Sequence, residues 1–325
     1  MIEIKYPWLS RYVDRFNINK LAHSQLFSGK SGIGKFYFAK EISKSILCTK
    51  SSNLFEYCNE CSSCKSFDSG SHPDFKLIQL ESDSKVIKIS QLRGGSKESD
   101  SEGIINFSNE TPLLSKSKII VINSSDKMNA ESQNFLLKTL EEPSKKTYIF
   151  LISSKPYSLK PTLLSRLNHM EINFPKKNEI LAWLQKSNME LDSQELNFLD
   201  DLNLIDINPD KLIKARSKRN EFSTDLMQCH SPKQLEKIAS KWDDSFLSTK
   251  LNWLSKIIFY SICKKLNDSE VQSYYFNENI SYLAKTKDLV ELFKLSNELN
   301  IFIKELAGGI NLNNKIQIKA LLSSY

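Results

Sequence analysis

The glycine-rich string GKSGIGK at residues 29–35 decides more about the fold than any other stretch of the sequence. An apolar run that predicts a strand precedes it, and a helical pattern follows it from Lys35 to Cys48. A strand, a glycine-rich loop and a helix in this order place backbone N–H groups and a helix N-terminus around a bound phosphate. The order therefore predicts an α/β domain with a phosphate-binding loop. Its candidate nucleotide-binding residues are Gly29, Gly32, Gly34 and Lys35.

Further strands follow in the first half of the chain. Apolar runs predict them at 76–80, 118–123 and 147–153, and the last two contain the continuous apolar runs IIVI and YIFLI, which are typical of strands covered on both faces. Between these two strands, Asn129 can cap a helix that Pro143 ends. The alternation predicts a parallel, doubly wound sheet with flanking helices over residues 1–174.

Helical periodicity replaces the strand patterns after residue 174. Three short helical stretches predict a small helical domain over 175–220, and long amphipathic patterns predict an all-α domain over 221–325. A polar segment at 220–232 predicts a linker between the two. The stretch 94–103 contains no apolar residue, so we expect an exposed flexible loop there.

Composition and charge exclude several classes of protein. Hydrophobic residues make up 40% of the 325 residues, which is enough to form cores and argues against a mainly disordered chain. The sequence lacks an apolar run long enough to cross a bilayer and a signal-peptide pattern, so we expect a cytoplasmic protein without a membrane partner. The net charge is +7, and because the lysines are scattered it permits contact with DNA without predicting it.

Two departures from the phosphate-loop pattern argue against ATP hydrolysis. Phe36 stands where the pattern requires the Ser or Thr hydroxyl that binds Mg²⁺. The neighbouring buried strand leads into Asn123 and Ser124, where a hydrolysing NTPase places its two carboxylates. Asp126 is more simply explained as a helix-start residue. Because phosphoryl transfer depends on the missing charges, we expect a loop that keeps its shape and binds nucleotide weakly or not at all.

Four cysteines cluster within 17 residues. Cys58, Cys61 and Cys64 are separated by two residues each, and Cys48 stands at the end of the preceding helix. This spacing can present four thiolates to one tetrahedral Zn²⁺, which leaves no open coordination position for water. The sequence therefore predicts an inserted structural zinc module on these four cysteines, with His72 as the alternative to Cys48.

The order of these motifs resembles that of the clamp-loader subunits of bacterial DNA polymerase III, which are AAA+ proteins. The motifs that carry the resemblance are YPWL at 6–9, the altered phosphate loop, the four cysteines, GSHPD at 70–74, NFLLKTLEEP at 134–143 and LLSRL at 163–167. LLKTLEEP is specific for clamp-loader subunits. Phe36 and the missing carboxylates favour the delta-prime type over the ATP-hydrolysing gamma/tau type.

This resemblance implies an AAA+ module with a three-helix lid, followed by a helical collar that joins a five-subunit ring. It also implies a stator that does not hydrolyse ATP, has gamma/tau and delta subunits as partners, and supports loading of a sliding clamp on primed DNA. The family's Ser-Arg-Cys motif matches Ser165, Arg166 and Leu167, which implies that Arg166 is an arginine finger for ATP bound by the adjacent subunit. Leu167 replaces the cysteine of the motif and affects packing more than charge.

Alternatives remain open at this point. An active gamma/tau-like ATPase with unconventional magnesium ligands would use Lys35 to bind ATP. A free-standing zinc-containing DNA-binding module would show salt-sensitive DNA binding. An arginine in the position of Arg166 is also often a surface residue with a local carboxylate partner. The acidic pair Glu141 and Glu142 either lines a subunit interface or is simply exposed.

Overall fold

The structure is a computed structural model of the chain. It describes residues 5–13, 16, 21–51, 53–81, 84–96, 99–144, 146–186, 203–229, 231–244, 246–266, 276–307 and 313–325. The described residues up to 186, together with 203–206, form one compact unit, and those from 207 to 325 form a second. Each unit contains its own hydrophobic core.

Strands and helices alternate in the first unit, which starts with a 3₁₀ turn at Pro7–Leu9. The elements in chain order are α1 (Ser10–Val13), β1 (Ser24–Ser28), α2 (Lys35–Leu47), α3 (Ser62–Asp68), β2 (Phe75–Ile78), α4 (Ile89–Arg93), β3 (Gly94–Ser96), β4 (Ser99–Glu102), α5 (Ile104–Asn109), β5 (Lys118–Ile122), α6 (Ala130–Glu141), β6 (Thr147–Ser153), α7 (Pro161–Leu164), β7 (Asn168–Glu171) and α8 (Lys177–Lys186). Strands β1 and β5 are buried along their whole length, as expected for parallel strands covered on both faces.

Five strands form one parallel sheet in the order β2-β5-β6-β1-β7. Leu26 of β1 lies opposite Leu151 of β6 on one side and opposite His169 of β7 on the other. Because the strands are parallel, their carboxyl ends share one edge of the sheet, and the phosphate loop follows β1 at this edge. The predicted fold class is confirmed: an α/β sheet with flanking helices, consistent with an AAA+ module, and a helical C-terminal part.

Some predictions for the first unit are corrected by the structure. Strand β6 lies between β1 and β5, so the strand that leads into Asn123 is not next to the strand of the phosphate loop. Within the stretch 94–103, expected as a flexible loop, Gly94–Ser96 and Ser99–Glu102 form the antiparallel pair β3 and β4, because backbone pairing requires no apolar side chain. Strand β7 has no apolar run that predicts it, since its mostly exposed side chains occupy a sheet edge.

The second unit is helical in all the elements that the structure describes. They are α9 (Pro209–Gln228), α10 (Pro232–Trp242), α11 (Leu247–Lys265), α12 (Asn277–Thr286), α13 (Leu289–Ala307) and α14 (Asn314–Ser323). Phe222 of α9 stacks on Trp242 of α10, with ring centroids 4.9 Å apart, and contacts Trp253 and Phe276 edge-on. This aromatic cluster joins α9, α10 and α11 to the start of α12, which Phe276 precedes. None of the described helices is long and apolar enough to span a bilayer.

The predicted linker at 220–232 is wrong for most of its length. Helix α9 continues to Gln228 because Phe222 and Leu226, four residues apart on one face, are completely buried in the core. Among the three helical stretches predicted for 175–220, the first is α8, the stretch at 193–202 lies outside the described residues, and the third is the first half of α9. The domain boundaries at 174 and 220 remain predictions.

Candidate functional site

The phosphate loop connects β1 to α2 in the predicted position. Gly29, Gly32 and Gly34 all have positive φ angles, of 138°, 75° and 94°. A side chain at Gly32 would also collide with Asn203, because its Cβ would lie 2.6 Å from the Asn203 Oδ1. This loop shape therefore requires glycine, and the sequence supplies it.

Lys35, at the start of α2, is bonded to the loop itself. Its Nζ donates to the carbonyl oxygens of Gly29 (2.7 Å) and Lys30 (2.5 Å) and to the hydroxyl of Ser154 (3.2 Å). The residue is 5% exposed, and burial lowers the pKa of Lys35 to about 8, although the nearby carboxylate of Asp126 acts in the opposite direction. The ammonium group thus stabilises the loop and would have to give up these bonds to reach a phosphate.

Asp126 lies closer to the loop than its sequence position indicates. It stands in the 3₁₀ turn Ser125–Lys127, as expected of a residue at a helix start, and its carboxylate accepts hydrogen bonds from the Ser154 amide (2.9 Å) and the Ser153 hydroxyl (3.2 Å). Since Ser154 also contacts Lys35, Asp126 and Lys35 share one neighbour. Sequence reasoning missed this link because it depends on β6 lying between β1 and β5.

Two other segments of the first unit pack on the phosphate loop. Trp8 of the YPWL motif donates its indole N–H to the carbonyl of Ile33 (2.8 Å). From the other segment, the amide of Ile205 donates to the carbonyl of Gly32 (3.2 Å), and the Tyr6 hydroxyl donates to the Ile205 carbonyl (3.4 Å). The two segments are therefore joined to each other as well as to the loop, which explains why YPWL accompanies the loop in the sequence.

The four clustered cysteines meet in space. The sulfur atoms of Cys48, Cys58, Cys61 and Cys64 all lie within 4.8 Å of one another, with 3.7 Å between Cys48 and Cys58 and 4.0 Å between Cys58 and Cys64. Four sulfurs bound at about 2.3 Å to one tetrahedral ion would be about 3.8 Å apart. The donor set and its spacing fit a metal ion such as Zn²⁺.

Backbone N–H groups surround these sulfurs. The amides of Cys58, Cys61 and Cys64 point at the sulfurs of Cys48, Cys58 and Cys61, at 3.3 to 3.4 Å. Burial alone would raise the pKa of Cys61, but the amides of Cys64 and Thr49 hold it down to about 6. Burial raises the pKa of Cys64 to about 12. Amide donors of this kind stabilise thiolates, which is the form that binds a metal.

His72, the alternative fourth ligand, has other partners. Its Nδ1 accepts from the Asp74 amide (3.0 Å), so its Nε2 carries the proton and donates to the hydroxyl of Ser63 (2.8 Å). Ser63 in turn donates to the carbonyl of Leu47 (2.6 Å), and burial lowers the pKa of His72. Both ring nitrogens of His72 are engaged in hydrogen bonds, which hold the end of α2 near β2. Cys48 is therefore the better candidate for the fourth metal ligand.

Asp74 anchors the loop before β5. Its carboxylate is fully buried and accepts three consecutive amide hydrogen bonds, from Leu113 (2.7 Å), Leu114 (2.8 Å) and Ser115 (2.9 Å). Burial alone would raise the pKa of Asp74, but these bonds hold it below its ordinary value. The SHPD part of the GSHPD motif is therefore structural in this fold.

Arg166 lies at the end of α7 with its side chain 36% exposed. Its guanidinium forms an ion pair of 2.7 Å with Glu141 of α6 and donates to the carbonyl of Thr162 (2.6 Å). The adjacent Ser165 is exposed and donates to the same carbonyl, whereas Leu167 is 8% exposed and packs in the core. Arg166 thus has a local carboxylate partner from the LEEP sequence, an arrangement that the spacing of the motifs does not reveal.

A family model described as "DNA polymerase III, delta subunit" matches residues 6–176, more than half of the 325 residues. The chain belongs to this family. The delta-prime subunit of Pseudomonas aeruginosa is 31% identical over 56% of this chain and 53% of its own length. The delta-prime subunit of Buchnera aphidicola subsp. Acyrthosiphon pisum is 28% identical over 89% of this chain and 83% of its own length.

Gamma subunits of DNA polymerase III are also similar to this chain. The gamma subunit of Buchnera aphidicola subsp. Schizaphis graminum is 28% identical over 57% of this chain and 49% of its own length. For it and for the Pseudomonas protein, the chain spans about half of the relative's length. The family match covers the phosphate loop, the cysteines and Arg166, so all the candidate site residues lie in the matched part.

Proposed function

We propose that this chain is a non-hydrolysing stator of the DNA polymerase III clamp loader, located in the cytoplasm with the replication machinery. It supports ATP-dependent loading of a sliding clamp on primed DNA. Its partners are gamma/tau and delta subunits in a five-membered ring, and the second helical unit is the collar that joins them. Through this assembly it acts on the clamp and on primer-template DNA.

One observation carries the proposal that the chain does not hydrolyse ATP. The ammonium group of Lys35 is bonded to the Gly29 and Lys30 carbonyls in a loop whose next residue, Phe36, offers no magnesium ligand. A loop in this state keeps the fold of a phosphate site without the charge neutralisation that phosphoryl transfer requires. The chemistry then belongs to the adjacent subunit.

Arg166 is the residue proposed to serve that adjacent subunit. It is partly exposed, and its contacts with Glu141 and Thr162 hold the guanidinium at the end of α7. An arginine that reaches the γ-phosphate across an interface stabilises the charge of the transferred group, and such residues contribute roughly 10³ to 10⁵ in rate. Ser165 precedes it and keeps the turn by its bond to Thr162.

The experiment compares ATP turnover of clamp loaders reconstituted with wild-type chain and with Arg166→Ala. We expect normal assembly and a DNA-dependent turnover that falls at the neighbouring site. Arg11→Ala is the matched control, because Arg11 forms a similarly exposed ion pair with Glu179 at 3.1 Å. Equal turnover in all three complexes would remove the arginine-finger role.

Asp126 supports a second candidate function, an active gamma/tau-like ATPase. Its carboxylate shares the neighbour Ser154 with Lys35 and acts on the pKa of Lys35, so it is the candidate for an unconventional magnesium ligand. An ATPase assay on the purified chain alone distinguishes the stator from the active ATPase. We expect no ATP turnover above background, whereas turnover abolished by both Asp126→Asn and Lys35→Ala would establish the ATPase.

We further propose that the four cysteines bind a structural Zn²⁺. The ligands would be the sulfurs of Cys48, Cys58, Cys61 and Cys64, and a filled tetrahedral set supplies rigidity and no reactive water. The site would fasten the segment between α2 and β2 to the end of α2, the helix that starts at the phosphate loop.

A further inference from the structure

Helix α2 faces the cysteine module with one row of side chains. Glu41, Lys44 and Cys48 follow at spacings of three and four residues, which places them on one face of the helix. Glu41 accepts a hydrogen bond from the Tyr57 hydroxyl (2.9 Å), and Cys48 contributes its sulfur to the cluster. Lys44, between the two, is a charged residue that is only 8% exposed.

Lys44 contacts three residues of the module. Its Nζ donates to the side-chain oxygen of Asn59 (2.7 Å) and pairs with both carboxylate oxygens of Asp68, at 2.7 and 2.9 Å. It also lies over the ring of Tyr57, 4.1 Å from the centroid. Tyr57 precedes the ligand Cys58, Asn59 follows it, and Asp68 ends α3, which begins after Cys61.

The contact with Asn59 bears directly on ligand geometry. Asn59 has a φ of 58°, a left-handed conformation that asparagine tolerates better than most residues. This turn directs the Cys61 amide to the Cys58 sulfur at 3.3 Å. A lysine that holds the Asn59 side chain therefore holds the turn that connects Cys58 to Cys61.

We propose that Lys44 is a positioning residue of the metal centre, which it orders by fixing the Asn59 turn and α3 against α2. The inference rests on the proposal that the cysteines bind zinc. The ion pair with Asp68 contributes little by itself, because the Asp68 side chain is 54% exposed. Lys44 contributes to metal affinity by pre-organisation, because ligands that are already in place lose less conformational freedom when the metal binds.

The test measures metal affinity on the purified full chain, by Co²⁺ titration with thiolate-to-cobalt absorption and by Zn²⁺ competition with a chelator. Residues that orient metal ligands typically change affinity by about 10- to 100-fold, and we expect Lys44→Met to weaken Zn²⁺ binding by this factor. Lys40→Met, on the preceding turn of α2 with its Nζ over the rings of Phe36 and Phe67, is the matched control and should bind as the wild type does.

Two further variants keep the result decisive. Asn59→Gly retains the left-handed turn and removes only the acceptor for Lys44, so it should weaken binding even if Lys44→Met folds poorly. Because both variants break the same contact, the double variant should lose less than the sum of the two. Wild-type affinity in Lys44→Met and Asn59→Gly would overturn the positioning role alone, whereas a wild-type chain that binds neither Co²⁺ nor Zn²⁺ would overturn the zinc proposal itself.

Discussion

Two buried charged residues of the first unit, Lys35 and Asp74, are satisfied by backbone groups more than by opposite charges. Lys35 donates to two loop carbonyls, and Asp74 accepts from three consecutive amides. Such a charge depends on these bonds, because removing the side chain or its backbone partners leaves a buried polar group without a hydrogen bond. Both residues therefore fix loops, one after β1 and the other before β5.

Asp74 provides a prediction for stability and its pH dependence. Replacement of Asp74 by Asn places an NH₂ group or a weaker acceptor opposite the amides of Leu113, Leu114 and Ser115. Because these amides then lack a good acceptor, we expect the free energy of unfolding at pH 7 to fall by about 3 kcal/mol. The pKa of Asp74 is below its ordinary value in the folded chain. Its contribution is therefore complete above the unfolded-state pKa of about 3.9 and is lost as the pH falls through the folded-state pKa.

Urea unfolding at several pH values checks both parts. The difference between wild type and Asp74→Asn should be constant from about pH 7 to 5 and should narrow below about pH 4, in the window just given. Ser115→Ala, which removes a hydroxyl that lies 3.0 Å from the carboxylate and leaves the three amide bonds, is the control and should cost far less. A difference that stays constant down to pH 3 would contradict the assignment.

Single residues could be predicted from the sequence where a local pattern carries the chemistry. The cysteine spacing and the glycines of the phosphate loop are such patterns, and the structure brings each group together. Glu141, Asp126 and Lys44 could not be predicted in their roles, because their partners come from other elements. The Glu141–Arg166 ion pair, for example, joins residues 25 positions apart through the packing of α6 and α7.

Among the elements, strands with an apolar run could be predicted and polar strands could not. Strands β5 and β6 contain the continuous apolar runs IIVI and YIFLI, and these runs predict buried strands. Strand β7 and the β3–β4 pair are held by backbone hydrogen bonds, and their polar side chains carry no periodic signal. The second half of helix α9 was predicted as a linker for the same reason, because few of its residues are apolar and face the core.

Helix α9 allows a direct test of helix against linker. Thr224 is exposed in the middle of the segment predicted as a linker, and in the helix its backbone N–H is in the interior of a 20-residue element. Thr224→Pro should therefore destabilise the second unit by about 3 kcal/mol or more, because proline removes a helix hydrogen bond and clashes with the preceding turn. Circular dichroism during thermal unfolding measures the effect.

Thr224→Ala is the matched control for this helix. It removes the hydroxyl bond to the Asn220 carbonyl (2.9 Å) and keeps the backbone donor, so it should unfold near the wild-type temperature. If residues 220–232 were a linker, Thr224→Pro and Thr224→Ala would behave alike, and that outcome would restore the interpretation from sequence.

At the scale of the whole molecule, the two units have separate hydrophobic cores, and the candidate site residues belong to the first unit. The first contains the phosphate loop, the cysteine cluster and Arg166, and the second contains the aromatic cluster around Phe222. A metal bound by the cysteines contributes its binding free energy to the unit that folds around it. The chain should therefore respond to metal removal in one unit and not in the other.

Hydrogen exchange on the zinc-loaded chain, before and after chelation, tests this division. With free Zn²⁺ at a hundred times its Kd, binding stabilises by about 2.7 kcal/mol, so amides of α3 and the end of α2 should lose about 100-fold in protection. Amides of α11 and α13 should keep theirs. Cys48→Ser should show the same pattern without chelator, and Cys263→Ser, an isolated thiol of α11, should not. Equal loss of protection in α3 and α11 would show that the metal stabilises the chain as one cooperative body, and the local role argued for the cysteines would fail.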